Sequence, residues 1–267
     1  MLRKLFVDHF DPSCSVLVEF DDHRFLVNPK DTGVSFTLMS GQSWQREELV
    51  GALELLATAN RLRPDSIFAD VGANIGTQTV YALLSGRFAR AIAIEPEPLN
   101  FKLLSENLKL NHMADRAALV NVAASNKAGL LTLGIDPRNS GAHSLQQGRA
   151  EMAGYTLKVP ADSVDSILQA NDVPASRVGL IWIDVEGHEL TAIEGMQALI
   201  SERVPIVVEF NGPRQDAAGA NHLKTLLLPN YETVVDLRAH TRGQPGQAST
   251  ALADFTPPSY ASDLLIY

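Results

Sequence analysis

The chain carries one cysteine, Cys14, in 267 residues. A lone thiol excludes an intrachain disulfide and a cysteine-rich metal site, and it fits a reducing compartment. Nothing near Cys14 activates a thiolate, so it reads as a passive side chain. No basic run is present. Asp plus Glu number 31 against 22 Lys plus Arg, a net charge of −9. That balance works against nonspecific attraction to nucleic acid or to an anionic membrane. No apolar run approaches the length of a membrane span. Residues 1–9 open with positive charge, but the apolar stretch breaks at Asp8, which is not a signal-peptide pattern. The expected location is the cytoplasm. No internal repeat appears.

Two nucleotide motifs are also missing. No Lys-Ser/Thr pair follows a glycine turn, which excludes a phosphate-gripping P-loop. The dinucleotide pattern G-x-G-x-x-G is absent too: Gly72 and Gly76 are spaced with Asn74 where a second glycine would stand. What is present is the run Ile67-Phe68-Ala69-Asp70-Val71-Gly72-Ala73-Asn74-Ile75-Gly76. It predicts a strand, a tight turn and the start of a helix. Such a turn allows close approach of a nucleotide-like ligand and leaves N–H groups facing it. Asp70 disfavours a pyrophosphate there and suits a cationic ligand. One βα unit later, the apolar run 91–94 ends in Glu95, where a carboxylate meets ribose hydroxyls. An adenosine-containing ligand with a sulfonium and an ammonium, S-adenosylmethionine, satisfies both features.

The chain is long enough for one large α/β domain. Residues 1–60 read as an N-terminal extension and 61–267 as the main domain. In the extension, 16–20 and 24–27 alternate around Asp21-Asp22-His23 as a hairpin, 28–33 is a loop, and 45–60 is a helix with Ser43 as candidate N-cap. Beyond it, strands are expected at 67–70, 91–95, 118–123, 130–135, 155–159, 178–184, 205–210, 232–237 and 264–267. Helices are expected at 78–84, 97–110, 163–170, 190–200 and 217–228, with Leu99, Leu103, Leu104 and Leu108 on the apolar face of 97–110. Residues 136–154 and 238–258 read as flexible loops. This alternation implies a mainly parallel, doubly wound sheet. Asp70, Glu95, Asp184 and Glu209 then fall at its carboxyl edge, where ligands bind.

A second dense segment, Ile181 to Glu189, places Asp184, Glu186 and His188 just past a buried strand. A second substrate would meet the cofactor here. Methyl transfer needs alignment above all, and a hydroxyl acceptor gains from a base, for which Asp184 and His188 are the candidates. Glu186, His188 and Glu189 equally suit the capping of the following helix. His143 is a further candidate base, with a solvated loop histidine as the plainer reading. A divalent metal on Asp184, Glu186 and Glu209 is a weaker alternative, because this spacing is not diagnostic. The Pro-Pro-aromatic signature of adenine N-methylation is absent after 178–184, which favours an oxygen acceptor.

Together, Asp70 to Gly76, Glu95-Pro96, Asn121-Val122-Ala123, Ile183-Asp184-Val185-Glu186-Gly187 and Val208-Glu209 resemble the FkbM-type S-adenosylmethionine-dependent methyltransferases, over roughly residues 44–210. Asn139-Ser140-Gly141 with Ser144-Leu145 is similar to that family's polar loop. The resemblance implies a Rossmann-like class I methyltransferase fold, a seven-stranded sheet with helices on both faces and an antiparallel last strand. It implies that Gly72, Ala73, Asn74 and Gly76 border the methionine part of the cofactor, that Glu95 binds the ribose, and that Ala123 and Ala124 lie near the adenine. It implies O-methylation of a small hydroxylated acceptor, a sugar or natural product. Gln78 replaces an aromatic expected near the helix start, and Asn126 stands where an acid is frequent. A cofactor-binding module without transfer and a nicotinamide-dependent oxidoreductase are the competing functions.

Overall fold

The computed structural model describes residues 14–146, 154–243 and 249–267, with backbone alone at 213–216. The chain opens with the hairpin β1 (Val16–Glu19) and β2 (Arg24–Val27), then α1 (Val34–Met39) and α2 (Arg46–Thr58). The alternating part follows: β3 (Ser66–Val71), α3 (Thr77–Leu84), β4 (Phe88–Ile94), α4 (Pro98–Leu110) and β5 (Ala117–Val120). Three strands then leave the main layer: β6 (Ala123–Ser125), β7 (Gly129–Ile135) and β8 (Tyr155–Ser163). The chain returns through α5 (Val164–Ala170), β9 (Val178–Ile183), α6 (Glu189–Glu194), α7 (Gln197–Ser201), β10 (Ile206–Asn211) and α8 (Gly212–Leu227). It ends with β11 (Thr233–Asp236), α9 (Leu237–Thr241), β12 (Ser249–Ala251) and β13 (Ala261–Ile266).

The main sheet has the order β12-β11-β13-β10-β9-β3-β4-β5 among the described residues. Strands β10, β9, β3, β4 and β5 run parallel, and β13 is antiparallel to both β10 and β11. This is the Rossmann-like α/β arrangement, with eight strands rather than seven: the short edge strand β12 arises from a stretch expected to be loop. Every residue of β9 is buried, as a central parallel strand covered on both faces requires. One apolar layer, with α5 to α8, includes Ile181, Ile193 and Leu223. The other gathers α2, α3 and α4 and includes Phe25, Leu53 and Leu180, so the hairpin and α2 share a core with the sheet.

Several local expectations need correction. Ser43 does not cap α2; Gln45 occupies that position in left-handed geometry, without a side-chain cap. Leu99 is 63% exposed, while Asn100 and Asn107 occupy buried positions on α4. Asn107 holds the hairpin to this helix, accepting from Leu26 N–H (2.6 Å) and donating to the carbonyls of Leu26 (3.1 Å) and Ile75 (2.8 Å). The strand expected at 118–123 divides into β5 and β6, with Asn121 Nδ2 donating to the carbonyl of Glu95 (2.8 Å) at the break. The helix expected at 190–200 is interrupted where the Gly195 carbonyl turns away to accept from Asp165 N–H (3.0 Å). The loop at 28–33 leads into α1, a helix not anticipated. Of the expected loops, 147–153 and 244–248 lie outside the described residues.

Candidate active site

The turn after β3 is set by backbone geometry. Gly72 has φ +85°, and a Cβ there would lie 1.8 Å from the carbonyl oxygen of Asp184. Only glycine tolerates both conditions. That contact, with Asp184 N–H donating to the Val71 carbonyl (3.0 Å), brings the ends of β3 and β9 together. Asn74 is left-handed as well, at φ +51°, and its Oδ1 accepts from Ile75 N–H (2.8 Å). Asparagine is among the few residues that take this conformation readily.

The turn N–H groups do not face a ligand as expected. Gly72 and Ala73 both donate to the Ile94 carbonyl (2.9 and 3.0 Å), and Asn74 donates to Glu95 Oε2 (2.8 Å). Glu95 Oε1 accepts from Glu97 N–H (2.9 Å). The carboxylate therefore stitches the turn to the start of α4, and each oxygen keeps acceptor capacity in reserve. Burial pushes Glu95 up to about 7, against the pull of those two N–H groups.

Glu95 borders a cleft with about 490 Å³ of open space, whose apolar walls include Ile94, Ala123, Ala124, Leu133 and Leu145. His143 and Ser140 close one side. Asp136 N–H donates to His143 Nδ1 (3.1 Å), so the neutral ring carries its proton on Nε2, and burial pulls its pKa down. His143 is thus a cleft-wall residue and not a solvated loop histidine. The Ser140 carbonyl accepts from Asn74 Nδ2 (3.0 Å) and Asn100 Nδ2 (3.2 Å), and its N–H donates to Asp31 (2.9 Å). This network fixes the 139–141 turn over the cleft.

A second lobe, with about 690 Å³ of open space, lies beside the first. Gly72, Asn74, Gly141, Asp184 and Glu186 line both. Asp70 and Glu209 belong to the second lobe alone of these two. Asp70 accepts from Thr79 Oγ1 (2.5 Å), and burial raises it to about 7. Asp184 is raised well above the usual carboxylate range, first by burial and then by the acids around it, with Glu209 foremost. Beyond Trp44, Gln45 and Glu209 the lobe opens into a wide outer cleft, which also carries Arg238, Arg242 and Asp263.

The expected site residues therefore separate into three groups. Asp70, Gly72, Asn74, Glu95, Ala123, Ala124 and Asp184 line these two adjacent cavities. Ala73 and Gly76 shape the turn behind them, and His188 lies elsewhere. Its Nε2 sits 3.3 Å from Ser125 Oγ, and it occupies the N-cap position of α6. For the metal alternative, one carboxylate oxygen each from Asp184, Glu189 and Glu209 lies within 4.8 Å of the others. Glu189 replaces Glu186 in that set. Glu189 accepts from Gly187 N–H (2.7 Å) and Val185 N–H (3.3 Å), so it also secures the turn entering α6.

The sequence profile of the Methyltransferase FkbM domain matches residues 70–237. The chain belongs to the FkbM methyltransferase family. A hexuronic acid methyltransferase, AglP, of Haloferax volcanii is 26% identical over 182 residues, covering 66% of this chain and 70% of that protein. The 31-O-demethyl-FK506 methyltransferase FkbM of Streptomyces tacrolimicus is 30% identical over 176 residues, covering 55% of this chain and 65% of that protein. The crystal structure of methyltransferase FkbM from Methylobacillus flagellatus KT aligns over 87% of this chain and 58% of its own, at 15% identity and a TM-score of 0.48. No described helix is long and apolar enough to cross a membrane.

Sequence reasoning missed Asp31, Trp44, Asn100 and Trp182. Asp31 and Asn100 act on Ser140 through contacts more than 35 residues apart in sequence, which no local pattern reports. Trp182 stood in a buried strand as one apolar residue among six. Gln78 was the one signal available, as a polar residue where an aromatic was expected.

Proposed function

We propose that this family member transfers the methyl group of S-adenosylmethionine to a hydroxyl of a small polar acceptor, a sugar or a natural product. The observation that carries the reading is the wall shared by the two lobes: Gly72, Asn74, Gly141, Asp184 and Glu186. A cofactor seated in the Glu95 cleft would present its reacting end to the occupant of the acid-lined lobe. When bound, S-adenosylmethionine supplies an electrophilic methyl group.

The residues take roles consistent with their surroundings. Glu95 receives the ribose hydroxyls on its remaining lone pairs. Ala123 and Ala124 lie along the adenine, where small apolar side chains leave room for a flat ring. Asp70 and Asp184 set negative charge beside the cofactor's cationic end, and a cation there favours their ionised forms. Asp184 takes the proton from the acceptor hydroxyl. Its raised pKa brings it toward the range in which a carboxylate works as a base near neutral pH. Val34, Trp44 and Gln45 wall the acceptor lobe, so we assign acceptor shaping to the segment 1–60 and cofactor binding to 61–267. The relatives named for hexuronic acid and for a demethylated FK506 support a hydroxylated acceptor.

The test is Asp184→Asn, with S-adenosylhomocysteine release followed over a panel of sugars and natural-product alcohols. The expected outcome is near-normal binding of S-adenosylhomocysteine and turnover slowed by roughly two to four orders of magnitude. A fully active variant removes Asp184 from the chemistry. Cofactor binding without turnover on any acceptor by the unaltered protein would favour a binding module.

A further inference from the structure

The acid-lined lobe has an unusual lining for a pocket that receives an alcohol. Val34 is its one aliphatic wall residue among the described residues; the others include Trp44, Gln78, Trp182, Asp184 and Glu209. Two of these side chains are at least nine-tenths buried and hold a polar atom with no hydrogen-bond partner among the described residues: Oε1 of Gln78 and Nε1 of Trp182. An unpartnered buried polar group is costly, and both residues line the lobe, so a ligand group that reached these atoms would complete them.

The two atoms are complementary. The indole N–H only donates and the amide oxygen only accepts. Nε2 of Gln78 donates to the Trp44 carbonyl and to Gln45 Oε1 (3.3 Å each), which leaves Oε1 as the end without a partner. A hydroxyl group can accept from Trp182 and donate to Gln78 or to a carboxylate. An apolar ring would leave these groups and the acids desolvated without compensation.

We propose that the lobe seats a single saccharide ring of the acceptor, with Gln78 and Trp182 as its hydrogen-bond partners and the Trp44 indole as the wall for its C–H face. This inference rests on the methyl-transfer reading for the purpose of the lobe, and goes beyond it in choosing a carbohydrate over a macrocyclic or polycyclic alcohol. The outer cleft, with about 1530 Å³ of open space and sharing Trp44, Gln45 and Glu209 with the lobe, accommodates further units attached to that ring.

The chain has two tryptophans, and both line the lobe, so intrinsic fluorescence reports directly on its occupant. The experiment titrates the protein saturated with S-adenosylhomocysteine with methyl glucoside, methyl mannoside, methyl galactoside and cyclohexylmethanol, an apolar ring of similar size. At least one glycoside is expected to give a saturable fluorescence change at millimolar concentration, and cyclohexylmethanol none. Gln78→Leu is expected to weaken that glycoside about tenfold, the scale of one net hydrogen bond. Gln78→Glu, which keeps an acceptor oxygen, is expected to bind it more tightly than Gln78→Leu. Binding of S-adenosylhomocysteine, measured separately by calorimetry, establishes that each variant is folded. Failure of every glycoside, stronger binding of cyclohexylmethanol, or an unchanged glycoside Kd in Gln78→Leu overturns the saccharide assignment and leaves methyl transfer standing. Failure of S-adenosylhomocysteine to bind the unaltered protein overturns methyl transfer itself.

Discussion

Glu95→Gln separates two roles that the structure gives one carboxylate. In the free protein Glu95 accepts from Asn74 N–H (2.8 Å) and Glu97 N–H (2.9 Å). In the proposed complex it also receives the ribose hydroxyls. Glutamine keeps the shape but turns one oxygen into a donor. That donor faces a backbone N–H, which loses about 1 kcal/mol for the bond given up. The same change removes a carboxyl that burial raises to about 7, so near neutral pH it also relieves a desolvated charge. The two effects oppose each other, and the melting temperature is expected to move by less than about 3 °C. Ligand binding has no such compensation. Hydrogen bonds to a charged acceptor contribute about 1.5–3 kcal/mol each, and losing the charge and one acceptor oxygen together costs about 3 kcal/mol. That corresponds to a loss of roughly 100-fold in Kd for S-adenosylhomocysteine. Calorimetry gives the affinity and a thermal melt gives the stability. An affinity within about threefold of the parent, with a large fall in melting temperature, would make Glu95 a staple for the turn and refute the ribose assignment.

Gly72→Ala is expected to destabilise the fold by more than about 3 kcal/mol in chemical denaturation, because its Cβ would lie 1.8 Å from the Asp184 carbonyl oxygen at a positive φ. A change under about 1 kcal/mol would show that the ends of β3 and β9 are not held together as described. Stability of the ligand-free protein should fall between pH 6.5 and 8. Asp70, Glu95 and Asp263 are each raised to about 7 by burial. In this window the unfolded chain has already lost those protons and the folded chain still gives them up, so rising pH favours unfolding. Each contributes roughly 0.8 kcal/mol, about 2 kcal/mol together, or about 5 °C in melting temperature. Buried His23 and half-buried His143 and His188, each lowered by desolvation, act in the opposite sense, but chiefly below pH 6.5, where the unfolded imidazole titrates. A melting temperature that rises across this window would contradict the burial of the acids.

The parallel sheet and the acids at its edge were legible because both leave local marks. A fully buried strand reads as an unbroken apolar run, and a carboxylate at its end stands out. The turn at Gly72 was legible for the same reason, although the fate of its N–H groups was not. Those groups donate to Ile94 and Glu95, about 20 residues away in sequence, and such pairings depend on how β3 and β4 align. His188 drew attention by standing near Asp184 in sequence, but the turn at Glu186 and Gly187, both at positive φ, carries the chain away from the cleft. Asn107 and Asn100 drew no reading from the sequence and are buried, because the hairpin and the Ser140 turn supply partners that only the folded chain provides. The edge strand β12 lay in a Gly/Pro/Gln/Thr-rich stretch, whose composition hides a strand of three residues.

A crystal structure of the complex with S-adenosylhomocysteine tests the central claim most directly. The ribose hydroxyls are expected on Glu95, the adenine beside Ala123 and Ala124, and the sulfur at the wall between Gly72 and Asp184, facing the acid-lined lobe. A nucleoside in the outer cleft near Arg238, or a sulfur turned away from Asp184, would contradict it.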